Sequence, residues 1–144
     1  MMMTIKPYAS VGGVAFGGAE SECIDRLGFP LATHLNREGF VEMVYAQMIV
    51  RLDPIERRVV EFTLLPNCKS KIEGIEITWD RRFLERACHF DGKPREVYGF
   101  VVLPNLGIAI TGIHDDDVSQ MAITVFNRGA FDDLLVFGVP YLVD

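Results

Sequence analysis

Apolar and polar positions alternate with a period of two in two long stretches of the chain, and in two others the apolar residues recur with the period of a helix. Val41, Met43 and Tyr45 alternate with Glu42 and, less cleanly, Val44; Met48, Val50 and Leu52 alternate with Ile49, Arg51 and Asp53. After the turn-forming stretch from Asp53 to Arg57, Val60, Phe62 and Leu64 face away from Glu61 and Thr63. A period of two sends successive side chains to opposite faces, so this pattern predicts three antiparallel strands in a meander. The second stretch runs from Tyr98 to Asp133. Ile108 and Ile110 oppose Ala109, Thr111 and Ile113, and Met121, Ile123 and Val125 oppose Ala122, Thr124 and Phe126. Two more strands are expected there, joined by the charged loop His114-Asp115-Asp116-Asp117.

The helical period falls on Ala19, Cys23, Ile24 and Leu27, and again on Phe83, Leu84, Ala87 and Cys88. Glu20 and Glu22 suit the positive start of the first helix, Arg26 suits its end, and Gly28 with Pro30 stops it. For the second, Asp80 is the expected N-cap and Gly92 the stop. The polar, aperiodic stretch Pro66 to Lys71 reads as a linker between halves. After it the order repeats: Ile75 and Ile77 form a short strand, Trp79 stands where Phe16 stands before the first helix, Pro94 follows the second helix as Pro30 follows the first, and three strands come next. The expected architecture is α+β, an antiparallel sheet of about six strands with two helices on one face. It is built as a tandem strand–helix–three-strand unit, about 10–65 and 72–130, in a single domain spanning 1–144. Asp132 to Leu135 open a short helix or Leu134 to Phe137 form a last strand, and Gly138 and Pro140 end either one.

Composition narrows the function classes. With 49% hydrophobic residues and ten Phe, the chain closes a core without staples. Cys23, Cys68 and Cys88 are an odd set with no CxxC, which fits reduced thiols and a cytoplasmic setting. No signal-peptide apolar run opens the chain, and no segment has the length of a membrane helix. A net charge of −6 argues against nucleic acid and makes a basic protein the more natural partner.

Candidate chemistry is sparse. His114 beside Asp115, Asp116 and Asp117 offers metal-ligating groups, but adjacent residues in a tight loop point in alternating directions, and neither HExxH nor an EF-hand pattern is present. Cys88-His89 resembles a nucleophile pair, yet helix neighbours diverge by about 100° and Cys88 lies on the apolar stripe. The serines lack GxSxG, and Gly12-Gly13 and Gly17-Gly18 lack a nucleotide-loop register, so no cofactor is expected. Arg81, Arg82 and Arg86 read as a solvated basic patch, and Trp79 as a core residue.

The succession LGIxITG, acid loop, AITVF and glycine–aromatic–aspartate, here Leu106 to Gly112, His114 to Asp117, Ala122 to Phe126 and Gly129 to Asp132, resembles small bacterial immunity proteins of polymorphic-toxin and type VI secretion systems. Gly18 and Ala19 stand where those proteins tend to carry Met and Ser or Thr before the first helix, which weakens the cap. The resemblance implies a non-enzymatic inhibitor that binds a cognate toxin in the cytoplasm and occludes its active site. On that reading His114, Asp115, Asp116 and Asp117 contact the toxin, with Asp132 and Asp133 as secondary contacts. Two alternatives stay open: a small metal-dependent hydrolase using His114 and its carboxylates, and an oligomerising module built on the apolar C-terminal tail.

Overall fold

The computed structural model describes residues 2–143. In chain order the elements are β1 (Met3–Lys6), β2 (Ser10–Val11), β3 (Val14–Ala15), α1 (Glu20–Leu27), β4 (Ala32–Leu35), β5 (Val41–Val44), β6 (Met48–Leu52) and β7 (Val59–Leu64). Next come β8 (Ser70–Ile72), β9 (Ile75–Glu76), α2 (Arg81–Asp91), β10 (Arg95–Val97), β11 (Phe100–Leu103), β12 (Ile108–Thr111), β13 (Ala122–Phe126), α3 (Asp132–Leu135) and β14 (Val139–Pro140). The class is α+β as expected, but the strands form two sheets, one of five and one of nine, where a single sheet of about six was expected.

The nine-stranded sheet runs β14-β10-β11-β12-β13-β7-β6-β5-β4 and is antiparallel throughout. Each longer helix is followed by four strands, one more than the sequence pattern predicts, and the two runs meet where β7 lies beside β13. The order therefore reads as a mirror about that seam. The five-stranded sheet, β3-β2-β1-β8-β9, is mixed, because β1 and β8 run parallel with Met3 opposite Ser70 and Ile5 opposite Ile72. Its formation corrects the linker reading of Pro66 to Lys71: Cys68 and Ser70 are buried, and Ser70 starts a strand. Periodicity missed β8 because only three residues alternate.

The inner face of the large sheet carries Met43, Val50, Phe62, Leu103, Ile110 and Val125, all fully buried. They pack in one continuous core with Cys23 of α1, Phe83 and Leu84 of α2, and Ile5, Val11 and Ile72 of the small sheet. The expected sheet with two helices on one face is not what forms: both helices bury side chains in this core, but α1 packs against β3 of the small sheet and α2 against β9 and β11, and α3 is a third helix. Phe16 and Trp79, at matching places before α1 and α2, are both partly buried against the core. Phe16 meets Phe62 edge-on at 5.2 Å, and Trp79 donates its Nε1 hydrogen to the Cys68 carbonyl at 3.1 Å. The caps follow local chemistry. Asp80 accepts from the Phe83 N–H at 3.1 Å, Gly28 and Gly92 take positive φ at the helix ends, and Ala19 makes no side-chain cap, as its methyl group dictates. A bulge between Arg51 and Leu52 brings Val59 opposite Leu52, so Val59 fills the inner position predicted for Val60.

The outer face is divided. Over β10–β13, Val97, Val102, Ala109 and Phe126 are buried beneath Phe131, with Tyr8, Leu134 and Leu135 packed around them. Over β4–β7, by contrast, none of the outward side chains Glu42, Val44, Ile49, Arg51, Glu61 and Thr63 is fully buried.

Candidate functional site

The acid loop is held in one shape by contacts that leave its carboxylates outward. Gly112 opens it at φ +83°, and a Cβ there would lie 2.4 Å from the Met121 nitrogen and 2.6 Å from the Asp117 carbonyl oxygen, so only glycine lets the loop close this tightly. Arg81, from the first turn of α2, donates through Nη2 to the His114 carbonyl at 2.9 Å and reaches Asp116 Oδ2 at 3.2 Å. Asp116 itself adopts a left-handed φ of +55°. Ser119 Oγ donates to Asp117 Oδ1 at 2.6 Å, and Thr111 Oγ1 donates to the Gln120 carbonyl at 2.7 Å. Asp115, Asp116 and Asp117 are all exposed. Beside them a groove of about 310 Å³ opens between Trp79, Arg81, Asp116, Val118 and Met121.

His114 does not join these carboxylates. Its side chain is only 8% exposed, its Nε2 lies 3.4 Å from Glu96 Oε2, and its ring meets Tyr141 edge-on at 5.9 Å. Nδ1 is buried without a hydrogen-bond partner among the described residues. Among the described residues no group of three or more His, Cys, Asp or Glu is placed to hold a metal ion. Asp132 and Asp133 are exposed in the first turn of α3. The acid loop precedes β13 and α3 follows it, so the two sets of carboxylates sit at opposite ends of that strand rather than in one site.

A second cluster of charge lies on the outer face of β4–β7, where cross-strand register aligns His34, Glu42, Arg51 and Glu61. His34 Nε2 and Glu42 Oε1 are 3.0 Å apart, Arg51 donates to Glu42 Oε2 through Nη2 at 2.7 Å, and Arg51 Nη1 is paired with Glu61. Burial works against the Glu42 carboxylate, but the hydrogen bonds from Arg51 and His34 outweigh it and hold its pKa below the ordinary value. At Glu61 burial wins. It pushes the carboxyl above its ordinary range even though Arg51 pulls the other way, and the charges of Glu38 and Glu42 add to the rise. Glu61 stands opposite Phe126, on which Phe131 stacks at 4.3 Å just before α3 begins. Asp132 and Asp133 thus follow directly from the border of this open face.

The thiols have no nucleophile geometry. Cys88 is buried, with its pKa pushed up to about 12 by desolvation, while His89 is exposed. Burial likewise raises Cys23 to about 11. Arg82 and Arg86 are solvent-facing as expected, but Arg81 is the anchor of the acid loop. Sequence reasoning missed that role and the partnership of Glu96 with His114, since both span elements far apart in the chain. The charge row was within reach: Glu42, Arg51 and Glu61 all fall on the outward positions of three adjacent strands, with alternating sign.

No protein-family model matches the chain, and no curated protein matches it in sequence. In three dimensions it is similar to the crystal structure of an extracellular protein containing an SCP domain from Bacillus anthracis, with a TM-score of 0.50 and 14% identity, covering 90% of this chain and 50% of that one. The chain thus spans about half the length of that protein, and the likeness concerns the fold alone. Among the described residues no helix is long and apolar enough to cross a membrane.

Proposed function

We propose that this protein is a non-enzymatic immunity protein, of the kind encoded beside polymorphic or type VI secreted toxins, which binds its cognate toxin in the cytoplasm and occludes the active site. The observation that carries the reading is the fixed acid loop. Gly112, Arg81 and Ser119 hold Asp115, Asp116 and Asp117 outward in one conformation beside a groove, so docking them against a basic cleft costs little further ordering. Toxins that handle phosphate-rich substrates present such clefts. His114 serves from behind, wedged between Glu96 and Tyr141, and shapes the loop rather than contacting the partner. Asp132 and Asp133 act as secondary contacts. We read the mirrored strand order as the trace of a duplicated helix-and-strand unit, in which the second copy acquired the acid loop.

The test is capture of the product of the neighbouring gene by the purified protein, followed by joint replacement of Asp115, Asp116 and Asp117 with Lys. Affinity is expected to fall by about 100-fold or more, with a weaker dependence on salt. Unchanged affinity and salt dependence would remove the loop from the interface.

A further inference from the structure

The outer face of the large sheet is finished on one side of its mirror seam and left open on the other. Over β10–β13 the chain's own C-terminal segment closes it. Phe131 stacks on Phe126 and meets Phe100 edge-on at 6.1 Å, Leu134 and Leu135 pack beside them, and β14 adds to the edge at β10. Strand β4 holds the matching edge on the other side, and among the described residues it is paired only with β5. Its four residues are all exposed, and Leu35 is 67%, Leu31 78% and Phe29 83% accessible at that margin. Such a strand, without proline or lysine, presents an unpaired backbone edge to which another chain can add.

Charge says what kind of chain. On the open face Glu42 and Glu61 flank the Arg51 guanidinium, His34 pairs with Glu42 at the β4 end of the row, and Glu38 lies near enough to act on both Arg51 and Glu61. Three carboxylates to one guanidinium and one imidazole leave the row open to further positive charge, and Val44 and Ile49 beside it are half-buried and apolar. We propose that the outer face of β4–β7, with the β4 edge, is a docking surface for a protein partner, and that it takes an apolar segment carrying lysine or arginine side chains. The partner's segment occupies the place that the C-terminal segment fills on the other half, and its cations complete the Glu42–Arg51–Glu61 row. The proposal rests on the reading of the chain as a toxin-binding protein and gives that binding a second surface.

The probe is the neighbouring gene's product, titrated by calorimetry against the wild type, Thr63→Arg, and the double variant Glu42→Gln/Glu61→Gln. Thr63 lies on β7, at the seam side of the open face and opposite Ile49 of β6, so the first variant adds bulk and like charge beside the Glu61 end of the row, while the second removes charge and keeps shape. Binding is expected to weaken by about 30-fold or more for Thr63→Arg and about tenfold for the double variant, whose salt dependence flattens. Thermal melting within about 5 °C of wild type shows that both are folded. If the folded variants bind as the wild type does, the surface assignment falls and the toxin-binding reading stands. If the wild type captures nothing, both fall. If the protein alone is a dimer in light scattering and Thr63→Arg makes it a monomer, a second copy is the occupant and the proposal of a basic partner is overturned.

Discussion

The two halves of the outer sheet face have the same kind of strands beneath them and opposite fates. On one half, Phe126, Val102 and Ala109 are sealed by Phe131 and its neighbours; on the other, the same depth of sheet leaves Glu42, Arg51, Glu61 and Ile49 only partly buried. The inner faces do not differ in this way, since both feed one core. What separates the halves is the material available to cover them. After β13 the chain has a segment left to fold back, whereas after β7 it must continue into β8 to build the small sheet. A face that is structural on one side is thereby free to be functional on the other.

The comparison is broken most directly on the covered side. Phe131→Ala removes a stacked and nearly buried ring, and urea denaturation should show a loss of about 3 kcal/mol, at the lower end for Phe-to-Ala changes because the site lies near the surface. Asp91→Ala, at the end of α2, should cost about 2 kcal/mol by the same measurement. The carboxylate accepts from the Asn105 and Leu106 N–H groups, both at 2.8 Å, and from that of Lys93, which the variant leaves without their acceptor.

On the open side, Glu61→Gln sharpens the contrast through pH. The folded Glu61 carboxyl sits above its unfolded value, so its charged form opposes folding at neutral pH. That opposition is relieved as pH falls through the folded pKa and is gone below the unfolded one. Wild-type stability relative to Glu61→Gln should therefore rise on acidification from neutral pH, by under about 1 kcal/mol, as followed in urea titrations at several pH values. Glu42 acts in the opposite sense: its depressed pKa contributes stability that is lost at lower pH. The smallest effect is expected for Thr63→Arg, below about 1 kcal/mol, because nothing is packed tightly over it. A loss as large as that of Phe131→Ala would mean that the open half is not open.

The hairpins and helices were legible because each is decided within a few residues. Asp80 and Gly92 bracket α2, and Met43, Val50 and Phe62 alternate cleanly enough to place three strands. What escaped is whatever depends on remote pairing. Ser70 and Lys71 look like linker until β1 supplies hydrogen bonds, and Val60 loses its inner place to Val59 only because of a bulge set by β6. The acid loop was found as a charge run, yet its internal division was not. A tight turn fixed by Gly112 and Arg81 sends His114 inward and its three neighbours outward, and neither anchor is visible from the run itself.

The parallel pairing of β1 with β8 also sets an order of events during synthesis. As the chain leaves the ribosome, β5, β6 and β7 can zip together as successive hairpins and β1 can pair with β2, but β1 lacks its parallel partner until Ser70 to Ile72 have emerged. The N-terminal strand is then the middle strand of the small sheet, between β2 and β8, so it acts as a latch that closes late. Loss of Met3 to Lys6 would split that sheet in two and uncover Ile5's place in the core. A fusion at the N-terminus must therefore leave enough slack for this strand to reach its partner after the first helix and its four strands are already made.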